Sequence, residues 1–213
     1  MHPECVEEKA RVLMSRLGPT LGMHGGVLAG GTGLALHLGH RMSRELLFYT
    51  PQAFRPSDVL EEVQAVAGTV ELGAVDETTV TMRADGAVMT MRRSQVRLLE
   101  PTTRINGCDV AGVLDIAAMK LMAIVQDGFR NDFVDLYSVL QILPFRRVAR
   151  QAIRLYGTTL VDPLTVGKAL VWFACAEEQT DPVYIGIPVA WGVVEAFFRS
   201  SVHQFVLDLD AEG

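Results

Sequence analysis

Residues that could bind phosphate or a metal ion lie close together between residues 30 and 47 of this 213-residue chain. Gly30, Gly31 and Thr32 separate a short apolar run from an apolar helical segment. A glycine turn at a helix N terminus offers unpaired N–H groups and the positive end of the helix dipole, and it lets a phosphate approach closely. The Thr32 hydroxyl could add a donor. A purely structural role stays open, because paired glycines before a helix are common and Thr32 is a good cap.

Lys120 is the second residue whose position could indicate chemistry. It falls in the middle of an apolar helical face that includes Ile116 and Met119, where an unpartnered lysine would be costly to bury. It must therefore extend to solvent or meet an anion. Asp132 and Asp135 are three residues apart and share one side of the next helix. A structural ion pair with one of these aspartates and a phosphate-binding role both remain open.

The elements that would position these residues divide the chain into two halves. Up to about residues 106–107, short strands alternate with helices, and Asp85-Gly86 is a strong hairpin signal. The first helix is predicted to end at Gly18 and Pro19. After Gly112 nearly every segment has helical periodicity, including one predicted helix over residues 163–176. The pattern predicts an α/β domain over residues 1–107 and a helical domain over 108–213.

Two blocks of the chain resemble one protein family. Residues 30–50, GGTGLALHLGHRMSRELLFYT, resemble the first two motifs of the AbiEii/AbiGii-type nucleotidyltransferases, which read G-G-T-x-L-A-L and then H-R-x-S-x-D-L-D-F-F-S. Residues 115–140, DIAAMKLMAIVQDGFRNDFVDLYSVL, resemble the family's D-I-A-A-M-K-L and K-D-F-x-D-L-Y segments. The family belongs to the DNA polymerase β-like nucleotidyltransferase superfamily. The two blocks occur in the family's order and cover about half of the chain.

The resemblance implies an α+β (α/β) nucleotidyltransferase fold, with a small mixed sheet flanked by helices and an all-helical C-terminal domain. It also implies two strand carboxylates, two residues apart, that hold Mg²⁺ on a nucleoside triphosphate. Side chains two apart on a strand share a face, and here those positions are Glu45 and Leu47. Glu45 is then the only metal ligand of the pair, and no acid occurs in the strand of residues 87–93. We therefore expect activity to be weakened or lost.

The resemblance also assigns roles to individual residues of this chain. The catalytic candidates are Glu45, which is also the metal candidate, and Asp135. The nucleotide-binding candidates are Gly30, Gly31, Thr32, Arg41, Lys120 and Asp132. We expect the glycine turn and the lysine to face one shared phosphate-sized hollow.

Three functions follow as hypotheses. The preferred one is a nucleoside triphosphate-binding protein of the AbiEii toxin type whose transferase activity is weakened or lost. The first alternative is an active metal-dependent nucleotidyltransferase that acts on tRNA or protein as the toxin of a toxin–antitoxin pair, with a cognate antitoxin as partner. The second alternative is a non-catalytic interaction or regulatory protein.

Composition limits the partners and the compartment. The net charge is −6 and the pI is about 5.4, which excludes general non-specific binding to nucleic acid. One predicted helix nevertheless carries a basic stripe, which is either a tRNA contact or a solvated face: Arg146, Arg147, Arg150 and Arg154. Three dispersed cysteines predict free thiols. The acidic N-terminal segment and the short apolar runs predict a cytoplasmic protein without a membrane span.

Overall fold

The computed structural model describes all residues from Met1 to Gly213. The chain forms two compact units, Met1–Gly112 and Val113–Gly213. The predicted boundary between residues 107 and 108 falls inside a hairpin of the first unit, whose second strand pairs with a central strand of the sheet. No helix combines the length and the apolar character that crossing a bilayer requires.

The first unit is built on a mixed sheet of seven strands, in the order β3-β4-β5-β2-β1-β7-β6. The strands are β1 Val27–Ala29, β2 Glu45–Thr50, β3 Val70–Val75, β4 Thr79–Ala84, β5 Ala87–Arg93, β6 Thr103–Ile105 and β7 Cys108–Val110. The helices of this unit are α1 Glu8–Met23, α2 Gly30–Leu38 and α3 Pro56–Val66. Strand β2 runs parallel to β5 and antiparallel to β1, and β1 runs parallel to β7. The predicted fold class, a mixed sheet flanked by helices, is confirmed.

One face of the sheet forms the core of the first unit. Leu46 and Phe48 of β2 and Met89 and Met91 of β5 are almost fully buried on this face, in one cluster with α1 residues such as Leu13. Burying each such side chain contributes about 1.5–3 kcal/mol. Because side chains alternate along a strand, β2 directs its other residues to the opposite face. The core thus fixes which residues of β2 remain available for chemistry.

Helix α1 continues past the residues that were predicted to end it. It runs to Met23 with Pro19 inside it, so the prediction of an end at Gly18 and Pro19 is wrong. Gly18 instead serves packing: a Cβ atom there would lie 2.5 Å from the backbone of Gly107, in the turn between β6 and β7. The thiol of Cys108 donates to the carbonyl of Met14, at 3.2 Å, and joins the same hairpin to the helix.

The second unit consists of helices. They are α4 Val113–Gln126, α5 Arg130–Leu140, α6 Phe145–Tyr156, α7 Pro163–Ala169, α8 Ala174–Glu177 and α9 Trp191–Glu212. The helix predicted over residues 163–176 is therefore two shorter helices. Phe133 of α5 lies at the centre of an aromatic cluster with Phe173, Trp191 and Phe198. These rings are part of the hydrophobic packing of the helical unit.

Candidate functional site

The glycine turn joins the end of β1 directly to the start of α2. Gly30 has a φ of +61°, a conformation that favours glycine. Leu47 of the neighbouring strand lies against Gly30. A Cβ atom added to Gly30 would be 3.2 Å from Leu47 Cδ2. Gly31 is needed for a different reason: the guanidinium of Arg41 occupies the space that a side chain at residue 31 would take. The backbone conformation of Gly30 therefore favours glycine, and Gly31 leaves room for the Arg41 guanidinium.

Arg41 places a cation at this turn. The residue is only 6% exposed, and its Nη1 atom donates to the carbonyl of Met42 at 3.1 Å. A guanidinium keeps its charge at all physiological pH values. No side chain caps the N terminus of α2, where the first N–H groups of a helix have no partner within the helix. The turn thus combines backbone donors, a helix dipole and a buried positive charge.

The hydroxyl of Thr32 is directed into the protein. Thr32 is 1% exposed, its Oγ1 lies 2.6 Å from Ser43 Oγ, and it donates a very short hydrogen bond to the main-chain carbonyl of Glu45. A hydroxyl has one proton to donate, so Ser43 is the donor to Thr32. This hydroxyl holds the start of β2 in place and is not directed at a ligand. Ser43 is a positioning residue that sequence reasoning did not select, although it matches the family motif.

The face of β2 that is not part of the core carries one acid. Glu45 is exposed, and Leu47 is half-buried on the same face. The register places Val88 beside Glu45 and Thr90 beside Leu47 on the parallel strand β5. Thr90 is within hydrogen-bonding distance, 3.0 Å, of Thr81. A site for two divalent ions needs several anionic oxygen ligands, and one carboxylate does not fit that requirement.

The other predicted site residues form a buried ion cluster in the second unit. Lys120 Nζ of α4 lies 2.6 Å from Asp132 Oδ1 and 2.8 Å from Asp135 Oδ2, both on α5. Lys120 is 9% exposed and Asp135 is fully buried. An ion pair between the two helices, one of the two roles left open for Lys120, is present and includes both aspartates. Its formal charge is −1, since one ammonium meets two carboxylates.

The basic stripe on α6 is partly neutralised within its own unit. Arg146 and Arg150 bind the carboxylate of Glu212, at the end of α9, at 2.5 and 2.6 Å. Hydrogen bonds from these guanidinium groups lower the pKa of Glu212 to about 2. Arg147 and Arg154 are exposed. Half of the predicted stripe therefore anchors the C-terminal helix.

Comparison with known proteins supports a fold and leaves the activity open. No protein-family model matches the sequence. An uncharacterised protein of Aquifex aeolicus is 29% identical over 188 residues, which cover 84% of this chain and 87% of that protein. MenT4, a nucleotidyltransferase toxin of Mycobacterium tuberculosis, superposes with a TM-score of 0.64 at 21% identity, over 97% of this chain and 87% of the toxin.

A further solved structure, that of a candidate nucleotidyltransferase from Helicobacter pylori, superposes with a TM-score of 0.53 at 15% identity. The superposition covers 97% of this chain and 99% of that protein. At these identities the similarity establishes the fold. The chain therefore shares the fold of these solved structures, the nucleotidyltransferase fold that its resemblance to the AbiEii/AbiGii proteins predicted.

Proposed function

We propose that this protein binds a nucleoside triphosphate at the glycine turn and that its metal-dependent nucleotidyl transfer is weakened or lost. The observation that carries the proposal is the position of Leu47. It lies against Gly30, on the same face of β2 as Glu45, at the place where the family has its second metal carboxylate. Transfer that depends on two metal ions requires ligands that this face lacks.

The glycine turn is the feature that supports binding of a phosphate. The uncapped N terminus of α2 and the cation of Arg41 both favour an anion at the turn. Thr32 contributes through its backbone, because its hydroxyl is committed to Glu45. Gly30 and Gly31 leave the turn without side chains. These groups support binding of a triphosphate without requiring chemistry on it.

Calorimetry with each of the four nucleoside triphosphates, with and without Mg²⁺, tests binding. Gly31→Ala should abolish the heat of binding, because a methyl group there displaces Arg41. Gly22→Ala is the matched control: it is a glycine of α1 with no neighbour within 4 Å of the added Cβ atom, and it should bind like the wild type. Absence of heat with all four nucleotides would remove the proposal and favour a non-catalytic interaction protein.

An active transferase that uses Glu45 is the second candidate function. Glu45 favours it, because its side chain is exposed while its carbonyl is fixed by Thr32. In that case Glu45 would hold Mg²⁺ through its carboxylate. Incubation with labelled nucleotide and total tRNA distinguishes the two proposals. The active-transferase proposal would be established by metal-dependent labelling that is lost in Glu45→Gln. The matched control, Glu71→Gln on the exposed strand β3, should leave the labelling intact.

Leu47→Asp provides the complementary test of the preferred proposal. It restores the family's acidic pair on one face of β2 and should create Mg²⁺-dependent labelling or raise it above the wild-type level. Tyr49→Asp adds the same charge on the same face, two residues further along, and should not. Equal labelling by both variants would show that added charge alone, and not the position of residue 47, determines metal binding.

The toxin role, an antitoxin partner and a tRNA acceptor are parts of the proposal that rest on the family resemblance. Arg147 and Arg154 are the residues of the α6 stripe to test first, since Arg146 and Arg150 bind Glu212. Replacing the first two with Gln should weaken tRNA binding in a filter assay without unfolding α9. Growth arrest on expression in a bacterial host, relieved by a co-expressed neighbouring gene product, would support the toxin–antitoxin assignment.

A further inference from the structure

A cluster of three potential metal ligands lies near the start of the chain, and none of the three is a residue assigned above to nucleotide binding. His2 Nδ1, a carboxylate oxygen of Glu4 and Cys5 Sγ all lie within 4.8 Å of one another. His2 Nδ1 is 3.0 Å from Glu4 Oε1. The side chains of His2 and Glu4 are 41% and 60% exposed, whereas Cys5 is fully buried beneath them. The two exposed side chains could therefore receive an ion from solvent.

The backbone holds this cluster in a fixed conformation. Residues Pro3–Cys5 form one turn of 3₁₀ helix, with the N–H of Cys5 bonded to the carbonyl of His2 at 3.0 Å. The N–H of His2 donates to Leu36 at 2.8 Å, and the carbonyl of Cys5 accepts from Ser43 at 2.7 Å. The segment is thus attached at both ends to the rest of the first unit. A 3₁₀ turn aligns side chains three residues apart, so it places Cys5 on the same side as His2.

The His2 ring also packs closely against a glycine. It lies on Gly39, where a Cβ atom would be only 2.7 Å from His2 Cγ. Gly39 has a φ of +70° and ends α2 in the left-handed conformation. Any other residue at position 39 would push the imidazole away from Glu4 and Cys5. The position of the ring is therefore set by the fold, although the residue is second in the chain.

We propose that His2, Glu4 and Cys5 form a binding site for a zinc-class transition-metal ion. One imidazole nitrogen, one thiolate and one carboxylate form a mixed donor set that suits Zn²⁺ and not Mg²⁺ or Ca²⁺, which take oxygen ligands. Bonds of about 2.0–2.3 Å in a tetrahedral site place donor atoms roughly 3.3–3.8 Å apart. The observed separations reach that range with small side-chain rotations, and water completes the fourth position.

Binding would fix the segment that borders the glycine turn. Ser43 bonds to the backbone of Cys5 on one side and to the hydroxyl of Thr32 on the other. An ion held by His2, Glu4 and Cys5 would therefore stabilise the loop that leads into β2. This inference does not depend on the proposed nucleotide binding, and the two can fail separately.

Cobalt(II) is the probe for the test, because it takes the place of Zn²⁺ and absorbs light. The chain from Met1 to Gly213, with a C-terminal affinity tag free of histidine, is stripped of metal under reducing conditions and titrated with Co²⁺. We expect a thiolate-to-cobalt charge-transfer band that saturates at one equivalent. Added Zn²⁺ should displace it, and excess Mg²⁺ should not.

Variants identify the ligands. Cys5→Ser should lose the charge-transfer band, and Cys108→Ser, the matched control at a second buried thiol, should retain it. Glu4→Gln changes an exposed side chain and should weaken Co²⁺ affinity by at least the roughly 10–100-fold that loss of a supporting partner costs. No band at excess Co²⁺, a band that persists in Cys5→Ser, or one lost in Cys108→Ser would overturn the assignment.

Discussion

Replacing Lys120 by Met tests whether the ion cluster stabilises the helical unit. The change keeps the length of the side chain but leaves Asp132 and the fully buried Asp135 facing each other without a cation. Breaking a buried ion pair by removing one partner costs about 3–5 kcal/mol. We expect the free energy of unfolding of this unit to fall by that amount. Asp135→Asn leaves the pair of Lys120 with Asp132 intact and should cost less, about 1–3 kcal/mol.

A triple variant in which Lys120→Met is combined with Asp132→Asn and Asp135→Asn makes the test sharper. It removes every charge of the cluster, so no buried charge is left without compensation. Neutral replacement of a whole buried ion network is often harmless. We therefore expect the triple variant to be more stable than Lys120→Met alone, although it carries more substitutions. A model in which each residue contributes an independent stabilising contact gives the opposite order.

Tryptophan fluorescence during urea unfolding is the appropriate assay. The chain has two tryptophans, Trp172 and Trp191, and both belong to the second unit. The signal therefore reports this unit even if the two units unfold in separate transitions. The reasoning is refuted if Lys120→Met lies within about 1 kcal/mol of the wild type, or if the triple variant is no more stable than the single one. Lys120 would then be retained for a ligand.

Three further perturbations have defined outcomes. Gly31→Ala should lower the stability of the first unit by about 1–3 kcal/mol in urea unfolding, because the methyl group overlaps the Arg41 guanidinium; an unchanged midpoint would contradict this packing. Burial raises the pKa of Cys108 to about 12, so at pH 8 Ellman's reagent should react first with the half-buried Cys175, and Cys175→Ser should remove that fast phase. Glu212, with its pKa lowered from 4.5 to about 2, stabilises the end of α9 at pH values above 4.5, and this contribution should disappear as the pH falls through about 2. Circular dichroism of the wild type and Glu212→Gln over that range measures the loss, and an identical pH dependence in both proteins would refute it.

Local pattern was sufficient to predict the elements that carry the candidate site. The sequence of residues 45–50 alternates so that Glu45 and Leu47 must share a face, and the burial of β2 confirms it. The short strands β6 and β7 were not predicted. Each has three residues, too few for a period to appear, and β7 exists because it pairs with β1. Their place in the sheet is a property of the tertiary structure.

The partners of polar side chains could be predicted only in part. The sequence identifies Lys120 as a cation in an apolar face that must reach either solvent or an anion, but it does not say which of the two. Whether Asp132 or Asp135 reaches the ammonium depends on the packing of two helices, and both do. Thr32 is the opposite case. Its hydroxyl could have faced a ligand, but in the fold it donates a hydrogen bond to the main-chain carbonyl of Glu45.

Leu47 has a further electrostatic consequence at the glycine turn. In the family pattern a second carboxylate stands at this position, and it repels phosphate unless metal ions neutralise it. With Leu47 the negative charge is removed while the cation of Arg41 and the dipole of α2 remain. The same residue that removes a metal ligand therefore makes the turn more favourable for an anion without metal. This balance of charge predicts that the wild-type protein binds triphosphate even when a chelator removes divalent metal ions. In Leu47→Asp, triphosphate binding should instead depend on Mg²⁺. Binding to the wild type that strictly requires Mg²⁺ would contradict it.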